Sequence, residues 1–343
     1  MLLDIENLTV LLPAAARPLL ADVSLQVRSS EVVGLVGESG SGKSTTAKAV
    51  LNILPDDARA DGRVLVDGTD ALSLTGARLR AHRARTVAMV HQDPRSALNP
   101  VRRIGDFLVE RLARTGSPDK RAARTRAVEL LDAVGLPDPE RHVRQHPHEL
   151  SGGMLQRVVI AGALAAEPAL LLADEATSAL DVTTQADILA LLRSLREQRD
   201  LGLLFITHDL HLAAAYCDRV YVMYAGRVVE EQEAHRLFSD ARHPYTRGLL
   251  ACSPELGDSA RPLAPIPGRP PSLADAFTGC PFASRCVHAE PACDTWQPEP
   301  LPVPGGGVAA CRRLPDLPDP YAAQSDPLDP SARPAAQPTG STR

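Results

Sequence analysis

The chain has 343 residues, 44% apolar and 23% charged, which supplies a globular core for one large domain or two smaller ones. Its formal net charge of −5 argues against a dedicated nucleic-acid binder. No uncharged apolar run reaches the roughly 18 residues a spanning helix needs, and Met1-Leu-Leu-Asp-Ile-Glu6 carries acids where a signal peptide carries Lys or Arg, so a cytoplasmic protein is expected.

Residues 1–30 alternate weakly (Ile5, Leu8, Val10, then Val23, Leu25, Val27), predicting half-exposed antiparallel strands. Glu31-Val-Val-Gly-Leu-Val-Gly37 is an apolar run that suits a buried parallel strand. It leads into Gly37, Glu38, Ser39, Gly40, Ser41, Gly42, Lys43, Ser44 and Thr45, which reads G-x-x-x-x-G-K-[ST], the loop that cradles nucleotide phosphates. Glycines at 37, 40 and 42 permit dihedrals closed to other residues, so successive N–H groups can turn into one concavity. Ala47, Val50, Leu51 and Leu54 then recur at helical spacing, predicting an amphipathic helix stopped by Pro55. The start of that helix adds unpaired amides and a positive dipole end. Lys43 would bridge the β- and γ-phosphates, and the Ser44 hydroxyl would ligate Mg²⁺.

Arg63–Gly68 predicts a further short strand, and Thr86–Gln92 a buried strand entering the loop Asp93-Pro94-Arg95. From about residue 100 to 166 the pattern is helical. There Val128, Leu131 and Val134 share a face, and Gly135 and Pro137 close the segment. Arg121, Arg124 and Arg126 read as a solvated helix face. Strands return at Ala169–Asp174 and Leu203–Thr207, separated by a helix with Ile188, Leu191, Leu192 and Leu195 on one stripe. Arg219–Val229 reads as a hairpin turning at Ala225-Gly226. Strands alternating with helices predict an α/β architecture with the phosphate site at the carboxyl ends of the strands. After about residue 250 proline accumulates, and residues 314–343 are expected to be a disordered tail.

Asp174 and Glu175 close an apolar strand. Downstream of a phosphate loop the first suits the Mg²⁺ shell and the second can polarise an attacking water. Ser151-Gly152-Gly153 precedes a helical run, and by its residues alone it is either an anion-binding helix start or an ordinary N-cap. In its fuller setting, Leu150-Ser-Gly-Gly-Met-Leu-Gln-Arg157 resembles the signature sequence of ABC-type ATPases. Gln92 resembles the Q-loop glutamine, Ser178-Ala-Leu-Asp181 the D-loop, and His208 the switch histidine. The resemblance covers residues 2–250.

That resemblance implies a RecA-like P-loop ABC nucleotide-binding domain over residues 1–250, with an antiparallel β part and a helical subdomain over about 95–166. It also implies a composite site, in which two such domains meet head to tail. ATP on one phosphate loop is capped by Ser151, Gly152 and Gly153 of the other domain, with Gln156 included in the nucleotide-contacting set. Glu175 would be the base, His208 would contact the γ-phosphate, and Gln92 and Asp174 the Mg²⁺. Two departures stand out. The adenine-stacking aromatic falls near Arg17, in a stretch with no aromatic anywhere in residues 1–106, and His91 stands where an aromatic is common.

His243-Pro-Tyr-Thr-Arg-Gly-Leu-Leu250, Ile266-Pro-Gly-Arg-Pro-Pro271, Gly279-Cys-Pro-Phe-Ala-Ser-Arg-Cys286 and Asp93-Pro-Arg-Ser-Ala-Leu-Asn-Pro100 resemble the oligopeptide/dipeptide importer branch, the first three its C-terminal extension. The branch implies import of peptides, or of another solute such as a nickel chelate. The partners it implies are a second ATPase, copy or paralogue, two transmembrane permeases, and through them an extracytoplasmic solute-binding protein. The location is then the cytoplasmic membrane face. A soluble ABC ATPase outside transport is the rival class. In the extension, here 251–313, Cys280, Cys286, Cys293 and Cys311 are separated by five, six and seventeen residues. Clustered thiols in a cytosolic chain suggest metal before disulfide. Tight zinc-type pairs are absent and the wider loops suit iron–sulfur better, with zinc and no metal both left open. The resemblance implies a 4Fe–4S cluster. Cys217 and Cys252 read as packed or inert thiols.

Overall fold

The structure, a computed structural model, describes residues 1–116, 119–178, 180–252 and 265–317. The tail expected to be disordered lies, beyond residue 317, outside the described residues. The chain opens with β1 (Leu3–Leu11), β2 (Leu20–Val27), β3 (Val32–Val36), α1 (Lys43–Val50), β4 (Arg59–Val66), β5 (Thr69–Asp70), α2 (Gly76–Ala81) and β6 (Val87–Val90). Helices α3 (Ile104–Arg114), α4 (Lys120–Ala133), α5 (Pro139–His142) and α6 (Gly152–Leu164) follow. Then come β7 (Leu170–Asp174), α7 (Val182–Arg199), β8 (Gly202–Thr207), α8 (Leu210–Tyr216), β9 (Arg219–Tyr224), β10 (Arg227–Glu233), α9 (Ala234–Leu237) and α10 (Pro244–Cys252).

Two sheets organise these elements. The first is antiparallel, in the order β2-β1-β4-β5. The second holds a parallel set, β9-β3-β8-β7-β6, with β10 running antiparallel to β9. Its far edge is completed from the C-terminal extension by β11 (Leu301–Pro302) and β12 (Val308–Ala309), the latter paired with β10.

The core lies on both faces of the parallel sheet, which explains why its strands read as continuous apolar runs. Leu171, Ala173, Leu203 and Phe205 belong to a core shared with the helices, whereas Leu170, Leu172, Leu204 and Ile206 pack towards the antiparallel sheet. Side chains alternate along a strand, so burial on both faces demands apolar residues at every position. Each fully buried Leu or Ile contributes on the order of 1.5–3 kcal/mol.

The predicted strands and the 225–226 turn are present, with two corrections. β6 is the sheet's edge, paired to β7 alone, and its Ala88 and Met89 are only half-buried rather than buried. Helix α1 stops at Val50, well before Pro55. Asn52 adopts a left-handed φ of 51°, Asn52 N–H donates to Ala49 O (2.9 Å) and Ile53 N–H to Lys48 O (2.8 Å). That is a Schellman ending with asparagine in the place usually taken by glycine. Helix α4 ends in the same way at Gly135 (φ 69°), with Gly135 N–H on Asp132 O and Leu136 N–H on Leu131 O. Val128, on its predicted apolar face, is half-buried while Leu131 and Val134 are fully buried.

Because position 135 requires positive φ, Gly135→Val is expected to lower stability by about 1–2 kcal/mol and Gly135→Asn by clearly less. Urea unfolding of the two variants measures the difference.

Candidate nucleotide site

Strand register brings the motifs together. Val36 pairs with Thr207, Asp174 with Ile206 and Val90 with Ala173, so β3, β8, β7 and β6 end nearly level. The phosphate loop, His208, Asp174-Glu175 and Gln92 leave those four ends in that spatial order. Gly37, Gly40 and Gly42 all have positive φ (152°, 79° and 109°) as expected. Gly37 is further constrained, since a Cβ there would run into the Met223 carbonyl oxygen of β9. No side chain caps α1, so its first-turn amides stay available to an anion.

Lys43 is buried, and its ammonium donates to Gly37 O (2.7 Å) and Glu38 O (3.0 Å). Burial pulls its pKa below the ordinary lysine value, against the pull of Glu175, Asp174 and Glu38. Ser44 Oγ donates to Asp174 Oδ1 at 3.1 Å. Burial pushes the Asp174 carboxyl up, while the Ser44 hydroxyl and the nearby His91 oppose the rise. Two hard oxygens this close, one on a carboxyl that resents desolvation, fit a small divalent cation such as Mg²⁺.

Glu175 follows β7 in a left-handed conformation (φ 49°), rare for a residue without glycine's freedom. Its N–H donates to Ile206 O (2.9 Å), which fixes that conformation. Gln92 Nε2 donates to Glu175 Oε2 (3.0 Å) and to Ser178 Oγ (3.1 Å), and His208 Nδ1 lies 3.5 Å from Glu175 Oε1. Gln92, expected to contact Mg²⁺, here hydrogen-bonds the Glu175 carboxylate. The D-loop aspartate, Asp181, caps α7 through Thr184 N–H (3.0 Å). Ala179 lies outside the described residues.

Ser151 caps α6 by accepting from Met154 N–H (3.3 Å), and Ser151 and Gly152 are exposed. None of residues 150–157 lines the cavity over the phosphate loop. Gln156, expected in the nucleotide-contacting set, is 1% exposed, with neither amide atom hydrogen-bonded, so this surface does not present it to a ligand.

Sequence reasoning missed Arg285. Lying between Cys280 and Cys286, it is buried and reaches the phosphate loop, donating to Glu38 Oε2 (2.7 Å) and Oε1 (3.1 Å) and to Tyr224 Oη (3.3 Å). Its hydrogen bonds to the Glu38 carboxylate raise its already high pKa. Glu38 N–H donates to Tyr245 Oη at 2.8 Å. Tyr224, Tyr245 and Phe282 form one aromatic cluster, with centroids 4.6–5.4 Å apart. An arginine between two cysteines was visible in the sequence, but its partner 247 residues away was not.

All four clustered cysteines line one small cavity, together with His243 and His288. Burial pushes the Cys280 thiol to about 11 and raises Cys286 and Cys311. Among the described residues no three His, Cys, Asp or Glu side chains are placed to hold one metal ion. The thiols thus share one cavity, but the described residues form no ion site, and the metal expectation is not supported by the geometry. Among the described residues the four clustered cysteines form no disulfide. Burial raises the Cys217 thiol far above its ordinary value, as an inert packed residue requires.

Phosphate loop, strand-end carboxylates and a second glycine-bearing helix start define a nucleotide-binding cassette of the P-loop class. The chain matches the ABC transporter family over residues 20–178 and the oligopeptide/dipeptide transporter C-terminal region over residues 229–293. It is 47% identical over 343 residues to the oligopeptide transport ATP-binding protein OppD of Mycobacterium tuberculosis, covering 98% of this chain and 55% of that one. The chain thus spans about half the length of that relative. With OppD of Haemophilus influenzae it is 42% identical over 294 residues, covering 85% of this chain and 91% of that one. With the dipeptide transport ATP-binding protein DppD of Bacillus subtilis it is 43% identical over 278 residues, covering 80% and 83%. A bacterial ABC transporter cassette solved as a dimer superposes with a TM-score of 0.60 at 30% identity, covering 68% of this chain and 98% of that chain. The chain belongs to the ABC transporter ATP-binding proteins, in the oligopeptide/dipeptide branch. Among the described residues no helix is long and apolar enough to cross a membrane.

Glu38 and Arg285 join the phosphate loop to the extension, and Arg285 is buried at one end of the pair. Arg285→Met is expected to lower stability by roughly 2–4 kcal/mol. In a double-mutant cycle with Glu38→Gln the coupling should exceed about 1 kcal/mol, read by denaturant unfolding.

Proposed function

We propose that this chain hydrolyses ATP to power peptide import across the cytoplasmic membrane, as the peripheral ATPase subunit on its cytoplasmic face. One observation carries the reading: four strand ends bring the phosphate loop, Glu175, Asp174, His208 and Gln92 together, while Ser151–Gly153, a second glycine-bearing helix start, lies outside the cavity over that loop. A second cassette, copy or paralogue, turned head to tail would bring its own Ser151–Gly153 segment over the loop. The similar cassette solved as a dimer, and its dimer in a post-hydrolysis state bound to ADP and Pi, support that arrangement. The peptide cargo is supported by the names of the relatives and by the match over residues 229–293. Partners then include two transmembrane permeases and, beyond them, a solute-binding protein.

In this reading residues 1–250 form the nucleotide-binding domain, with 95–166 as its helical part and 251–313 as the extension. The amides of residues 37–45 and the Lys43 ammonium bind the β- and γ-phosphates. Ser44 and Asp174 would hold Mg²⁺, which supplies charge neutralisation on the phosphate oxygens. Glu175 accepts a proton from the attacking water. Gln92 and His208 hold its carboxylate in place, and His208 faces the terminal phosphate. A ligand that binds the closed pair more tightly than the open one shifts the equilibrium towards closure, and cleavage removes that preference.

Glu175→Gln should therefore keep ATP affinity but lower hydrolysis by roughly 10²–10⁴-fold. It should accumulate an ATP-dependent dimer, seen by light scattering after size exclusion. Turnover equal to the parent would contradict the role of Glu175.

For the extension we propose a 4Fe–4S cluster held by Cys280, Cys286, Cys293 and Cys311. Four cysteines lining one cavity support that reading. Ligation requires the thiolates, and raised thiol pKa values make it strongly pH-dependent. Protein purified anaerobically should be brown and contain iron and sulfide, both lost in Cys280→Ser. Zinc as the sole metal would overturn the assignment.

A further inference from the structure

The cavity over the phosphate loop, about 490 Å³, has a lining of two chemical kinds. Lys43, Ser44 and Glu175 are polar or charged, whereas Leu19 and, from the C-terminal extension, Pro270, Pro271 and Leu273 are apolar and half-buried. The polar lining suits phosphates. An apolar wall within the same cavity suits a flat heteroaromatic base and its ribose.

Arg17 builds that wall. Its Nε donates to Ser272 O (3.0 Å), Nη2 to Pro271 O (3.0 Å), and Nη1 to Pro18 O (3.1 Å) and Ala225 O (3.0 Å). Ala16 N–H donates to Leu273 O (2.9 Å), so residues 16–17 are zipped to 271–273. The guanidinium, 7% exposed and with the Phe277 ring 5.9 Å from its Cζ, is committed as a tether and is not a free plane for stacking. Asp275 braces the segment from behind by accepting from Ser272 N–H (2.7 Å), Ser272 Oγ (2.9 Å) and both terminal nitrogens of Arg269 (2.9 and 3.1 Å). Two consecutive prolines fix the backbone further. A wall ordered before binding loses little entropy when a ligand lies against it.

We propose that Pro270–Leu273, held by Arg17, is the nucleoside-binding wall of the ATP site, so that the C-terminal extension supplies the contact to base and ribose. The inference rests on the phosphate-loop site binding ATP. It accounts for a stretch of 106 residues that carries the phosphate loop yet contains no aromatic residue. It also gives the extension a place in nucleotide binding that is independent of its cysteines.

The test compares ligands with and without a nucleoside on the full-length chain. Affinities for ATP, ADP and inorganic tripolyphosphate are measured with Mg²⁺ by isothermal titration calorimetry, for the parent, Leu273→Ser and Arg17→Lys. The lysine keeps the charge but cannot grip four carbonyls. Both variants should bind ATP and ADP about five- to tenfold more weakly, with tripolyphosphate changed less than about twofold. Parent-like nucleotide affinity in both variants would overturn the proposal. So would tripolyphosphate weakening in step with ATP, which marks damage to the phosphate loop instead. If the parent binds neither ATP nor tripolyphosphate, the phosphate-loop reading fails, and the wall fails with it.

Discussion

In the parallel sheet, hydrogen bonding sets Val36 beside Thr207, Ile206 beside Asp174, and Ala173 beside Val90, and the chemistry of the site follows from that alignment. Each of the four strands hands over to a different motif at the same sheet edge. Burial on both faces holds the register. A one-residue slip would exchange the two faces of a strand, moving Phe205 into the space of Leu204 and Ile206. In a close-packed interior such a mismatch in volume costs several kcal/mol. Gln92, Glu175 and His208, far apart in the chain, are thereby brought to one sheet edge by hydrophobic packing.

The same physics decides what was legible in the sequence. Strands buried on both faces declare themselves as uninterrupted apolar runs, so β3, β7 and β8 were plain, and the phosphate loop stood out because its glycines have no substitute. β6 was misjudged because an edge strand carries a similar run with a neighbour on one side only. The end of α1 was assigned to Pro55 because proline is the louder signal. The actual stop, Asn52, works through a backbone conformation and two capping hydrogen bonds, and asparagine also serves in many other settings. Contacts such as Arg17 to Ser272 or Arg285 to Glu38 span about 250 positions, and nothing local marks an arginine's distant acceptor. Gln156 belongs to a motif that begins with exposed Ser151 and Gly152, but helical periodicity turns it inward beside buried Leu155.

The extension shows how a proline-rich segment with little core of its own is ordered. Its strand β12 borrows the edge of β10, satisfying backbone groups on both sides. Phe282 enters the aromatic cluster of Tyr224 and Tyr245, and Arg285 passes beside those rings to reach Glu38. The anchors lie on the hairpin strand β9, on α10 and on the phosphate loop itself. Order in the extension and geometry in the loop are therefore linked directly: Glu38 uses its backbone N–H for Tyr245 and its carboxylate for Arg285.

Glu175 concentrates these constraints. Its left-handed backbone is uncommon for a side-chain-bearing residue and persists because Ile206 of the neighbouring strand accepts its N–H. Its carboxylate is held from both sides, by His208 following β8 and Gln92 following β6. Gln92 belongs at once to this hydrogen-bonded group and to the loop that leads into α3. β6 is the sheet's edge, with half-buried side chains, and so is the least constrained of the four strands. The element tied to the helical region is thus the one paired on a single side. A displacement there would reach the Glu175 carboxylate through a single 3.0 Å hydrogen bond, while β3, β7 and β8, each paired on both sides, carry the phosphate loop, Asp174 and His208. That division of rigidity is what a proposed coupling between cargo movement and hydrolysis requires.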